Sequence, residues 1–295
     1  MRCRALLIAL LLTSCQILQA TNSAAQAPGL LTSWPTVDRP LGMAIDAAGL
    51  LYVGAQSGAA ARAHVYSQAG SALGAFLGGN ETYGVAFLHT GELLLANYYG
   101  HSVEVFGGGG GLIGSWPEPG SNALYLAVDD LDNVYVTSDN TDHVYKLDHT
   151  GVPVTDWVSP HPAGVAYLGG KVYVAGMWNG LISIYAPDGT PSGAFSSGAT
   201  WAEQLAVDAA GHLLLADHGL RQLKCFTPDG ALLWTIGPVV PGYAPRDCDF
   251  ISVVQGSGGT ILAGDYLNRR VLVFGAQPTA ATASTWGALK AKYRP

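Results

Sequence analysis

Charge is scarce in this chain: only 12% of its 295 residues are Asp, Glu, Lys or Arg. The balance is acidic, with a formal net charge of −7 and a pI near 5.5. That argues against nucleic acid or an anionic membrane surface as a partner. Cysteine is scarcer still, four in all, and no CxxC or Cys/His cluster in the sequence suggests structural zinc. Long apolar runs are missing too. The unbroken run Ala5–Leu12 is too short to span a bilayer, and no other segment offers a transmembrane helix. No G-x-S-x-G elbow or H-E-x-x-H pair occurs. The glycine-rich Gly107–Gly111 has no helix after it to receive a phosphate.

Residues 1–27 read as an export signal. Arg2 and Arg4 precede the apolar run, and Ala25-Gln26-Ala27 has the A-x-A form, although Pro28 follows it. Leu12-Thr13-Ser14-Cys15 resembles a bacterial lipobox, which would place a lipid on Cys15; the alternative is an ordinary signal residue. Either way an extracytoplasmic protein is expected, secreted, periplasmic or lipid-anchored. Once Cys3 and Cys15 leave with the signal, Cys225 and Cys248 remain. An oxidising compartment permits a disulfide between them, while a small buried hydrophobe is the other reading of Cys225.

What the chain has in plenty is glycine, 39 residues, and apolar material at 49%, enough for a sizeable core. Thr200–Gly237 shows how these are used. Leu205–Val207, Leu213–Ala216, Leu223–Phe226 and Ala231–Ile236 read as four short strands. The joining turns Asp208-Ala-Ala-Gly211 and Pro228-Asp-Gly230 combine a corner-setting Asp or Pro with a Gly that accepts positive φ. Ala44, Ala86, Ala127, Ala166 and Ala206 mark the same place in five copies about 40 residues apart, and a sixth follows at Ile251–Val254. Four strands per 40-residue repeat is the pattern of a propeller blade.

The fourth strand ends in Phe76, Trp116, Trp157, Phe195 and Ile236, but nothing strand-like follows Phe274. Leu30-Leu-Thr-Ser-Trp34 matches Leu112-Ile-Gly-Ser-Trp116, so residues 29–35 are expected to complete the last blade. The expected fold is all-β: a six-bladed β-propeller of four-stranded blades over residues 28–276, its last blade closed by an N-terminal strand. Residues 277–295 are read as a linker and short tail, in which Ser284 could cap a basic helix over Thr285–Arg294.

Pro40-Leu-Gly-Met-Ala-Ile-Asp46 followed by Gly49-Leu-Leu-Tyr-Val53 resembles the NHL-repeat pattern, as do Tyr83–Ala86, Ala163–Ala166, Leu205–Asp208 and Asn268–Phe274. The resemblance covers residues 29–275 and implies the fold, not an activity. It implies either a plain interaction module or, as in related amidating lyases, streptogramin lyases and lactonases, a metal at the central channel.

The positions leading into strand one read Leu41, Tyr83, Leu124, Ala163, Glu203 and, with a shifted register, Asp249. The loops after strand two read Gln56, Asn97-Tyr98, Asp139-Asn140, Met177-Trp178, Asp217-His218 and Asp265-Tyr266. Four of the first six are apolar, aromatic or Ala, so a three-His zinc site is not supported. Glu203, Asp217, Asp249 and Asp265 with His218 form an acidic set that could hold Ca²⁺ or Mg²⁺ or act as a general acid. The competing reading makes Asp217 and Asp265 turn-bonding residues. Tyr83, Tyr98, Tyr99, Trp178 and Tyr266 read as stacking platforms for a sugar or a partner's side chains. The favoured expectation is a monomeric, non-catalytic binding module for a protein, peptide or glycan at the channel mouth, with no cofactor or with one divalent cation. The rival is a metal-dependent lyase or hydrolase.

Overall fold

The computed structural model describes residues 26–56, 61–77, 81–237 and 248–275. The expected export signal up to residue 25, including Cys15, and the expected C-terminal tail lie outside the described residues. Six antiparallel four-stranded sheets account for the rest. Blade 1 is Pro40–Ile45, Leu51–Ala55, Ala61–Tyr66 and Ala72–Leu77, and blade 2 is Thr82–Phe87, Leu93–Asn97, Ser102–Phe106 and Leu112–Pro117. Blade 3 is Ala123–Val128, Val134–Ser138, His143–Leu147 and Pro153–Val158. Blade 4 is Pro162–Leu168, Lys171–Gly176, Leu181–Tyr185 and Pro191–Ser196. Blade 5 is Ala202–Val207, Leu213–Asp217, Gln222–Phe226 and Leu232–Ile236. Blade 6 is Phe250–Gln255, Ile261–Asp265 and Arg270–Gly275, completed by Gly29–Pro35 from the start of the chain. We letter the strands of each blade a to d in that order. Strands a of successive blades touch around the ring, and blade 6 touches blade 1. The result is a six-bladed β-propeller.

Local chemistry explains the strand ends. In blade 1, Asp46 Oδ1 accepts the amides of Ala48 and Leu50 at 2.9 and 2.8 Å, and Gly49 turns the chain at a φ of +81°. Blade 5 repeats this with Asp208, which accepts the amides of Ala210 and His212 on either side of Gly211. Closure of blade 6 follows the repeat as well: Trp34 lies opposite Val271 just as Trp116 lies opposite Val103.

The apolar core is divided among the blade interfaces. Leu214, Leu223 and Cys225 of blade 5 pack on Phe250, Val253 and Phe274 of blade 6, and comparable clusters fill the other five interfaces. Cys225 is a buried free thiol, the small-hydrophobe alternative, and Cys248 is buried too. The strand-d aromatics Trp34, Phe76, Trp116, Trp157 and Phe195 also reach the c–d turn of the following blade. Trp116 covers Gly151, where a Cβ would come within 2.1 Å of the indole. Trp34 covers Gly70 in the same way, so the N-terminal strand is packed against blade 1 as well as paired in blade 6.

Candidate functional site at the channel mouth

Every strand a bulges just after its first paired residue. The bulges are Leu41-Gly42, Tyr83-Gly84, Leu124-Tyr125, Ala163-Gly164 and Glu203-Gln204, and in blade 6 the single residue Ile251. This corrects the expected register of the sixth blade: Ile251, not Asp249, is the counterpart of Glu203. Asp249 stands one step ahead of its strand, and its carbonyl accepts the Tyr266 amide just as Trp201 accepts that of His218. Glycine at three of the second bulge positions lets neighbouring blades close up. A Cβ on Gly42 would overlap the Tyr83 carbonyl and one on Gly164 the Glu203 carbonyl, at 1.6 and 2.2 Å.

Tyr125 and Gln204 occupy the same position with large polar side chains, and both cross the channel. Tyr125 of blade 3 donates its hydroxyl to Glu203 Oε2 of blade 5 at 2.9 Å, over the small Ala163-Gly164 pair of blade 4. Gln204 of blade 5 reaches blade 1, accepting the Met43 amide at 3.0 Å and donating to its carbonyl at 2.7 Å. These two crossbars separate the polar mouth from an apolar well of about 310 Å³ at the other end, lined by Met43, Phe87, Leu126, Val165 and Val207.

Above the Tyr125–Glu203 crossbar the ionisable groups are coupled. Burial pushes the Glu203 carboxyl up to about 7, partly offset by hydrogen bonds from Tyr125 and Trp201 and by nearby His218. His218 Nδ1 lies 2.9 Å from Asp249 Oδ1, and that contact raises the imidazole above its ordinary value. Burial, with Glu203 adding to it, holds the Tyr83 and Tyr125 phenols protonated. One further acid escaped the sequence reading: Glu118, buried after strand d of blade 2, is pushed up to about 7 chiefly by burial.

Three of the expected acidic set therefore gather, Glu203, His218 and Asp249. Asp217 and Asp265 turn elsewhere. Asp217 is fully buried, paired with Lys224 Nζ at 2.8 Å and bonded to the Leu220 amide at 3.1 Å. Asp265 pairs with Arg270 Nε at 2.7 Å and accepts the Asp249 amide at 3.0 Å. Among the bulge residues Leu41, Leu124, Ala163 and Ile251 offer no ligand atom, and Tyr83 keeps its proton. The channel wall does not fit the metal that the resemblance implies. Among the described residues, no three His, Cys, Asp or Glu ligand atoms at the mouth lie within 4.8 Å of one another.

The aromatics divide by depth. Tyr83 and Tyr98 are partly buried with ring centroids 5.1 Å apart, and Tyr83 also meets Tyr125. The Arg39 guanidinium lies over the Tyr266 ring, 5.0 Å from its centroid. Tyr99 and Trp178 are exposed at 58% and 55%, and Trp201 is exposed at 40% with its ring against His218. Trp201 was not among the expected aromatics; its place beside the mouth follows from the a-strand register.

No family model matches the chain, and no curated protein matches it in sequence. Solved structures match it in shape. A streptogramin B lyase structure superposes with a TM-score of 0.60 at 12% identity, over 80% of this chain and 78% of that one. Virginiamycin B lyase from Staphylococcus aureus gives 0.61 at 10% identity, over 83% and 99%. The WD40 β-propeller domain of Doa1 gives 0.61 at 14% identity, over 82% and 80%. At such identities the likeness is one of fold: this chain is similar to enzymes and to a WD40 domain alike, and is a β-propeller.

Proposed function

We propose that the chain is an exported, non-catalytic recognition module of NHL type, binding a protein, peptide or glycan at the channel mouth. One observation carries this reading: Tyr99, Trp178 and Trp201 are exposed around the mouth, while the acids beneath them are paired within the fold. Exposed aromatic faces stack on sugar rings or on apolar side chains of a partner, and they dominate binding energy where they occur. An immobilised oligosaccharide panel and a displayed peptide library supply the probes. The intact chain should retain at least one, and Trp178→Ala or Trp201→Ala should weaken that binding by roughly 30-fold, the effect of losing about 2 kcal/mol. Binding that survives both substitutions overturns the reading.

A second reading, a lyase or hydrolase, is favoured by the buried Glu203 carboxyl near pH 7 beside the His218–Asp249 contact. A carboxyl poised there is suited to general acid–base work, and lyases are among the structures of similar shape. Turnover of a lactone panel, abolished in Glu203→Gln and Asp249→Asn, would replace the first reading. Stoichiometric Ca²⁺ or Mg²⁺ lost in Glu203→Ala and Asp249→Ala would make the reaction metal-dependent.

A further inference from the structure

Asp208, His212 and Cys225 come together on blade 5, at the end of the propeller opposite the mouth. Asp208 and His212 bracket the a–b turn, and cross-strand pairing of Leu214 with Ala206 and Cys225 brings the thiol beside them. One oxygen, one nitrogen and one sulfur, all potential metal ligands, lie within 4.8 Å of one another. His212 Nδ1 is 3.0 Å from Asp208 Oδ2, while Asp208 Oδ1 stays bonded to the turn amides.

Blade 3 shows what the same place holds elsewhere. Its turn aspartate, Asp129, accepts the Tyr135 hydroxyl at 3.0 Å, and Lys146 brings its ammonium to within 3.7 Å. Strand pairing puts Tyr135 and Lys146 where blade 5 has Leu214 and Cys225. Blade 5 has thus lost the phenol and the cation that satisfy this carboxylate in blade 3. Leu214 and the Cys225 thiol stand in their places, and His212 stands where blade 3 has Asn133; imidazole and thiol are both ligands for a borderline-soft metal.

We propose that Asp208, His212 and Cys225 bind a zinc ion, with solvent in the fourth position. A carboxylate oxygen, an imidazole nitrogen and a thiolate sulfur form a zinc donor set, and bonds of about 2.0–2.3 Å would bring the three atoms to roughly 3.3–3.8 Å from one another. Rotation of the His212 side chain opens its 3.0 Å separation from Asp208 Oδ2 slightly and brings the set to these distances. As the zinc–sulfur bond forms, the Cys225 thiol gives its proton to water, so one proton leaves per ion bound. The turn amides on Asp208 Oδ1 orient the carboxylate from behind. Cys225 is fully buried, but the His212 side chain is 32% exposed and opens the site to solvent.

The test uses the full chain, stripped of metal and titrated with Co²⁺ and then Zn²⁺. One equivalent of Co²⁺ should bind with a thiolate-to-cobalt charge-transfer band, and Zn²⁺ should displace it. Cys225→Val places the residue that blades 2 and 6 carry here, Val105 and Val273, so the fold is kept while the band is lost. His212→Asn, the Asn133 of blade 3, should weaken binding about tenfold or more. Cys248→Ser and Glu203→Ala should leave the band unchanged, the latter separating this site from any metal at the mouth. Absence of the band from the intact chain, or its survival in Cys225→Val, overturns the proposal.

Discussion

Glu203 lies beneath the mouth with its carboxyl pushed from an ordinary 4.5 up to about 7, burial being the largest cause. The folded chain therefore holds this proton more tightly than the unfolded one. Its contribution to stability is complete below about pH 4.5 and is lost as pH rises through about 7. A difference of this size corresponds to roughly 3 kcal/mol at most. Glu203→Gln keeps an acceptor for Tyr125 and cannot ionise. Urea unfolding should show it more stable than the parent at pH 8, by up to roughly 3 kcal/mol, and equal to it at pH 4. An equal difference at both pH values would remove burial as the cause. His218, raised by Asp249, titrates in the same sense: its stabilising contact is present below its ordinary value and fades as pH climbs.

Between strands, the aromatic-on-glycine contacts can be weighed against one another. Gly110 and Gly151 occupy the same c–d turn position, at φ values of +80° and +85°. A Cβ on Gly110 would sit an ordinary 3.7 Å from Phe76, whereas one on Gly151 would overlap Trp116. Gly110→Ala should therefore cost about 1–2 kcal/mol of backbone strain alone. Gly151→Ala should cost at least 2 kcal/mol more by the same denaturant measurement, the toll of displacing a packed indole. Strands and turns of this kind were legible in the sequence because they are local: an aspartate, two residues and a glycine specify corners such as Asp46–Gly49, Asp148–Gly151 and Asp208–Gly211. The crossbars were less so. Their signal was present, since Gly42, Gly84 and Gly164 share a repeat position with Tyr125 and Gln204, but where those side chains end depends on blades far away in sequence. The sixth register escaped because a longer entry loop precedes blade 6, although its strand a gains one extra residue against strand b as the other blades do. The Asp208–His212–Cys225 cluster escaped because it is made by strand pairing and not by spacing along the chain.

For the molecule as a whole, stability rests on closing the circle. Each blade interface holds its own share of the core, and the interface between blades 6 and 1 includes Trp34 from the N-terminal strand. Trp34→Ala should cost about 3–5 kcal/mol and lower the melting temperature by roughly 10 °C, seen by circular dichroism as one cooperative transition. Removing residues 29–35 altogether should leave the third strand of blade 6 without its partner and abolish that cooperativity. The match between Leu30–Trp34 and Leu112–Trp116 made this latch readable in advance. The timing it imposes was not. Among the described residues, Gly29–Pro35 is the first strand to be synthesised and pairs with the last, Arg270–Gly275. At ribosomal speed its partner is made roughly 240 residues later, a delay of about 12–50 seconds. Throughout that interval the wheel stands open, and the nascent chain carries two raw sheet edges that must be kept from strangers until its own ends meet.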